Sequence, residues 1–188
     1  SDLRRGNRTA NALFGNAASV LVGDFLYSRA FQMMAALDSP ALIRVMADAT
    51  NTIAAGEVLQ LMNSGDPDTT EIRYMEVIYR KTARLFEAGA QIAAIVARAP
   101  AGVEAALARY GKHLGIAFQL VDDALDYRGD AEELGKNVGD DLAEGKPTLP
   151  LIHALRHGDA ASIAMIRSAI EQGGTEEQGP ILAVVEST

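Results

Sequence analysis

An all-α fold is what this sequence predicts, and three observations carry the expectation. Alanine and leucine dominate, β-branched residues rarely cluster, and no alternating apolar pattern of convincing strand length occurs. Breakers then cut the chain into long uninterrupted segments.

The first helix is predicted over about residues 9–37, before Ser39-Pro40 opens the next. The second, about 40–63, ends at Asn63-Ser64-Gly65-Asp66-Pro67. Thr69 or Thr70 caps a third over about 71–98, which Ala99-Pro100 stops. A fourth covers about 101–128 and is followed by a Gly- and Asp-rich loop over 129–147. Shorter helices are expected at about 148–157 and 159–172, then a loop and one partial helix to Thr188. Four helices of roughly 24–29 residues would each run about 36–44 Å at about 1.5 Å per residue. Such helices without heptads belong to a large bundle, so residues 1–188 are expected to form a single all-α domain. Met33, Met34, Met46 and Met62 fall at helical spacing and are expected as core filler.

Composition excludes several functions. The 188 residues carry a formal net charge of −8, with 48% apolar and 22% charged residues, which argues against a nucleic-acid partner. With no cysteine, there is no disulfide, zinc thiolate or thiol nucleophile to consider. The most apolar stretch, Ala17 to Phe31, is broken by Asp24 and Arg29 and falls short of a membrane span. Residues 1–9 are polar and carry three arginines, unlike a signal peptide. A cytoplasmic protein is expected.

The densest chemistry lies on the fourth helix. Gln119, Asp122, Asp123 and Asp126 fall within an arc of about 100°, while Phe118, Leu120, Val121 and Leu125 are apolar. Carboxylates one turn apart repel unless a cation sits among them, and oxygen-only ligands suit a hard ion such as Mg2+ shared with a substrate phosphate. A solvated acidic stripe is the bland alternative. Surface stripes usually mix signs, however, and no lysine or arginine occurs between Lys112 and Arg128. Downstream, the loop from Gly135 to Pro150 places Lys136 and Lys146 where ammonium groups and a metal together would neutralise a diphosphate.

Phe118-Gln119, Asp122-Asp123 and Asp126, followed by the run Gly135-Lys136-Asn137 through Gly145-Lys146-Pro147, resemble the second aspartate-rich region of trans-prenyl diphosphate synthases. Arg4-Arg5-Gly6, Gly23-Asp24, Gly56-Glu57, Gln60 and Lys81-Thr82 appear upstream in that family's order. The stretches around Gly15 to Met34 and Ala55 to Asn63 resemble its long-chain, octaprenyl-forming branch. The resemblance covers about residues 1–172, and it implies that the bundle surrounds a central cavity.

The resemblance implies a prenyltransferase that condenses isopentenyl diphosphate with an allylic prenyl diphosphate by ionisation, condensation and elimination, supplying a polyprenyl chain for quinones. It implies that Arg4 and Arg5 grip the diphosphates, and that Lys81 and Thr82 contact the allylic diphosphate and help stabilise the developing cation. Phe118 and Gln119 match residues flanking the reacting double bond. Asp122 matches the most direct Mg2+ ligand, with Asp123 and Asp126 beside it and Asp140 acting through water. Lys136 and Lys146 match diphosphate contacts, and Glu57 and Gln60 match a polar pair lining the cavity, although a buried inter-helix pair would read equally well. Departed diphosphate serves as the final base, so His113, His153 and His157 are expected at surface or core positions. The family also implies a homodimer. Its first aspartate-rich motif would precede Ser1 and further helices would follow Thr188, so the chain is expected to be a piece of a larger enzyme, inactive or nearly so by itself. A non-catalytic subunit and a terpene cyclase of the same fold are the competing readings; the intact second motif opposes the first and the arginine pair opposes the second.

Overall fold

The computed structural model describes residues 3–4, 6–128, 139–173 and 178–188. The fold is all-α, with one addition: β1 (Leu3–Arg4) and β2 (Asn7–Arg8) pair antiparallel at the start of the chain.

Helix α1 (Ala10–Ala35) starts where the Thr9 side chain accepts from the Ala12 amide at 3.3 Å. The single run expected here is broken at Gly15, whose φ of 80° leaves the helical region. No residue of α1 is buried. Helix α2 (Pro40–Asn63) is capped by Ser39, with Pro40 at its first position, as the sequence predicts. Helix α3 (Glu71–Ile78) is capped by Thr70, which accepts from the Arg73 amide at 3.2 Å. That settles the choice between the two threonines; Thr69 is buried instead, its hydroxyl without a partner among the described residues.

The third predicted helix is present but changes its winding. After α3 the chain takes a π-helical turn, Tyr79–Ala83, before α4 (Arg84–Val96) continues. Two glycines explain why the turn stays there. A Cβ on Gly56 of α2 would lie 2.8 Å from both Arg80 Cβ and the Lys81 amide nitrogen. On the opposite side, a Cβ on Gly115 would lie 2.6 Å from Ala83 Cα. Backbones approach so closely only where a side chain is missing, and the π turn is held between them.

Helix α5 (Ala101–Arg128) packs along α4 more extensively than any other pair of elements among the described residues. Within the predicted loop over 129–147, the described residues include a helical turn, α6 (Asp140–Ala143), with Asp140 and Asp141 at its positive N-terminal end. Residues 129–138 lie outside the described residues. Helices α7 (Leu149–His157), α8 (Ala160–Gln172) and α9 (Gln178–Ser187) follow. The main core joins α5 to these last elements through Tyr127, Leu142, Leu151, Ile166, Ile170 and Ile181. A smaller one sets Tyr74 and Ile78 against Ile152.

Two of the four methionines depart from expectation: Met33 is 62% and Met62 72% exposed, on helix faces that nothing in the described chain covers, while Met34 and Met46 are half-buried. All three histidines are exposed. Among the described residues, no helix is long and apolar enough to cross a membrane.

Candidate functional site

Most of the residues singled out in the sequence meet at one cavity of about 720 Å³ between α2, the π turn, α5 and the segment from Asp140 to Thr148. Gln60, Lys81, Thr82, Phe118, Gln119, Asp122, Asp123, Asp126, Asp140 and Lys146 all line it. Glu57 stands just behind, 3.1 Å from the Lys81 ammonium. Arg5 and Lys136 lie outside the described residues, and of Arg4 only the backbone, in β1, is described. None of the three histidines is among the described lining residues.

The π turn brings Lys81 and Thr82 to the cavity side by side. The Lys81 ammonium donates to Gln60 Oε1 and pairs with Glu57, which joins the two polar residues of α2 to the turn. The Thr82 hydroxyl donates to Gln119 Oε1 at 2.8 Å, across to α5. Gln119 in turn donates through Nε2 to Asp123 Oδ1 at 2.7 Å. The second oxygen of Asp123 accepts from the Tyr74 hydroxyl at 2.6 Å. Phe118 is 54% exposed and stacks on Phe86 with ring centroids 5.4 Å apart, forming an apolar wall beside Gln119.

The aspartates of α5 divide by burial. Asp122 is half-buried at the cavity, whereas Asp123 and Asp126 are 4% and 1% exposed. Asp126 Oδ2 accepts from the Asp141 amide at 3.1 Å, and its carbonyl accepts from the Gly139 amide, so it anchors the segment that brings Asp140 and Asp141 back to the site. Burial pushes the Asp123 carboxyl up to about 6; the Tyr74 and Gln119 hydrogen bonds oppose the shift, and the charges of Asp141 and Asp122 add to it. Among the described residues, no three carboxylates or histidines already converge as a metal-ligand group. Each oxygen of Asp123 is directed to a neighbour inside the protein, and at least one of Asp126 is too.

Lys146 sits 3.1 Å from Asp141 Oδ1 and 2.5 Å from Glu144 Oε2. Burial alone would lower its ammonium pKa, but Glu144 and Asp141 outweigh that and hold it above the ordinary lysine value. The described lining therefore contains six carboxylates, Asp122, Asp123, Asp126, Asp140, Asp141 and Glu144, against two lysines. An anion as highly charged as a diphosphate would be repelled from such a wall unless further cations entered with it. Oxygen-only donors fit a hard divalent ion that completes its shell with phosphate oxygens and water.

Sequence reasoning missed Tyr74, Asp141 and Glu144. Tyr74 falls one turn before Ile78 on α3, a spacing that by itself reads as core. Asp141 and Glu144 stood within the quoted loop, but their pairing with Lys146 depends on the helical turn that α6 makes.

The polyprenyl synthetase family profile matches residues 1–187. The chain is 66% identical over 177 residues to the octaprenyl diphosphate synthase of Haemophilus influenzae, covering 94% of this chain and 54% of that protein. It is 61% identical over 188 residues to the octaprenyl diphosphate synthase of Escherichia coli, covering 100% of this chain and 58% of that one. A polyprenyl synthase from Caulobacter crescentus CB15, complexed with calcium and isoprenyl diphosphate, superposes with a TM-score of 0.95 at 43% identity, over 100% of this chain and 58% of that chain. The chain thus spans little more than half the length of these relatives.

Proposed function

We propose, from the premise that this chain belongs to the polyprenyl synthetase family, that its cavity is where isopentenyl diphosphate is condensed with an allylic prenyl diphosphate. The observation that carries the reading is the convergence of Lys81, Thr82, Phe118, Gln119, Asp122 and Lys146 on one cavity, tied across by the Thr82–Gln119 hydrogen bond of 2.8 Å. The names of the Haemophilus influenzae and Escherichia coli relatives support octaprenyl diphosphate as the product.

In this reading Lys81 and Lys146 bring ammonium charge to the diphosphate oxygens, and Arg4, Arg5 and Lys136 add to it. Lys146 exchanges its carboxylate partners for phosphate, while Glu57 and Gln60 hold Lys81 in place. Asp122 and Asp140 would hold Mg2+, with Asp123 and Asp126 behind them, and the bound ion would supply the charge that makes diphosphate a good leaving group. As the allylic C–O bond ionises, the oxygens of Gln119 and Thr82 offer lone pairs to the carbon that becomes positive. The isopentenyl double bond attacks that carbon, and the released diphosphate accepts the proton whose loss restores a double bond. Phe118 provides an apolar wall that keeps water from the cation.

A second copy of the chain is part of the same reading. Helix α1 exposes Phe14 at 73%, Leu21 at 68% and Phe25 at 66%, and a helix so apolar all round requires a cover. Sedimentation of the longest natural protein carrying this sequence is expected to give a dimer.

The activity is tested on that same protein with an allylic diphosphate, radiolabelled isopentenyl diphosphate and Mg2+. Label is expected in a long polyprenyl diphosphate only when all three are present. No incorporation, or incorporation independent of the allylic substrate, would overturn the reading.

A further inference from the structure

We infer that Tyr74 is a positioning residue for this condensation, acting through Asp123 to fix which atom of the Gln119 amide faces Thr82. The inference rests on the reading above and adds a residue that the sequence motifs do not contain. Tyr74 is 5% exposed on α3, about two helical turns before Lys81. Its hydroxyl meets Asp123 Oδ2 at 2.6 Å, and Asp123 itself is 4% exposed.

The direction of the whole chain of hydrogen bonds follows from one fact. An ionised carboxylate only accepts. Asp123 therefore takes the phenolic proton on one oxygen and must be given an N–H on the other. The Gln119 amide has two ends, and Asp123 captures the NH2 end at 2.7 Å. The carbonyl end is then the one turned to Thr82, which spends its proton on it at 2.8 Å. Both Gln119 Oε1 and Thr82 Oγ1 consequently offer oxygen lone pairs rather than protons to their surroundings. That polarity suits an electron-deficient carbon. With the amide turned over, an NH2 group would stand in its place, and the Thr82 proton would be released for other acceptors.

Tyr74 is what keeps Asp123 in this orientation. Without the phenol, one oxygen of a buried carboxylate loses its donor, which costs free energy. Rotating toward the lysines or the Gln119 amide then becomes an alternative for Asp123, and the amide loses its reference. The aromatic ring itself packs with Ile78 and Ile152 in the small core and does not depend on the hydroxyl.

The test uses Tyr74→Phe, which keeps the ring, in the longest natural protein carrying this sequence. The kcat is expected to fall on the order of 10-fold, as small displacements near reacting atoms do, with KM for both diphosphates changed less than about 2-fold. Asp123→Asn lowers kcat as well, and adding Tyr74→Phe to it should cost nothing further, because the second change acts through a group already altered. Wild-type kcat in Tyr74→Phe, or losses that multiply in the double variant, would overturn the inference. NMR of protein with 15N-labelled glutamine provides a reading independent of turnover. One Gln119 side-chain amide proton is expected to be protected from exchange, with its resonance moving in Tyr74→Phe. Should that variant not fold, the wild type decides: protection supports the pairing, and exchange of both protons at solvent rate overturns it. An inactive wild type with a protected Gln119 amide would instead count against the proposed reaction.

Discussion

Gly56 of α2 lies directly against Lys81 of the π turn, so close that a Cβ there would stand 2.8 Å from the Lys81 amide nitrogen. The bare backbone of one helix is thus what seats the lysine and threonine at the cavity. Gly56→Ala is expected to push the turn away, with an overpacking cost of about 1–3 kcal/mol. Activity should fall on the order of 10- to 100-fold from displacement of Lys81 and Thr82. Thermal melting and steady-state kinetics on the same preparation check both effects. Gly102, which has nothing within 4 Å of a built Cβ, provides the control: Gly102→Ala should leave kcat unchanged.

Lys146 bridges Asp141 and Glu144 before any anion arrives. Lys146→Gln removes the cation and leaves two carboxylates to repel diphosphate. Affinity for inorganic diphosphate in the presence of Mg2+ should weaken on the order of 10-fold, the value of one charge-assisted hydrogen bond. Calorimetric titration checks this, and unchanged affinity would remove Lys146 from the site.

The carboxyl of Asp123 gives the protein a pH signature. Its pKa is raised from the ordinary aspartate value of 3.8 to about 6, so the folded state holds the proton more tightly than the unfolded chain does. The associated stability is fully present below pH 3.8 and is lost as pH rises through about 6. The cost of ionising it in place is on the order of 2–3 kcal/mol. Asp123→Asn cannot ionise, so its stability relative to wild type should rise across that window in metal-free buffer. Urea denaturation of both proteins at several pH values reads the difference, and parallel curves would contradict it.

Leu142 is fully buried and is the one buried side chain of α6, the turn that carries Asp140 and Asp141. Leu142→Ala is expected to cost about 2–5 kcal/mol and to weaken Mg2+-dependent diphosphate binding, because the turn loses its anchor. Denaturant unfolding measures the first effect and calorimetry the second.

Much of the fold could be read from local chemistry. Ser39-Pro40, Thr70 and Asp159 cap helices where such residues satisfy open amides, and these helices begin within a residue or so of the expected positions. Of the cavity residues, Gln119, Asp122, Asp123 and Asp126 stand out by helical spacing and Lys146 by its loop, whereas Lys81, Thr82, Gln60 and Asp140 are legible only through the family resemblance. The π turn could not be read either way. Nothing in Tyr79-Arg80-Lys81-Thr82-Ala83 sets it apart from an α-helix; the feature is located by two glycines, Gly56 and Gly115, that come from distant parts of the chain. Tyr74 was missed for a related reason. An aromatic residue on an apolar helix face reads as core, and its partner Asp123 stands 49 residues away. The exposed Met33 and Met62 err in the opposite sense: helical spacing marks an apolar face but does not say what covers it.

The central claim is that this cavity binds an allylic diphosphate together with Mg2+ through Asp122, Lys81 and Lys146. The most direct measurement is calorimetric titration of the longest natural protein carrying this sequence with a non-ionisable thiolo-diphosphate analogue, with and without Mg2+, in wild type and in Asp122→Asn. The account expects binding that requires Mg2+ and weakens on the order of 10-fold or more in Asp122→Asn. Equal affinity in all four titrations, or no binding by the wild type with Mg2+ present, would contradict it.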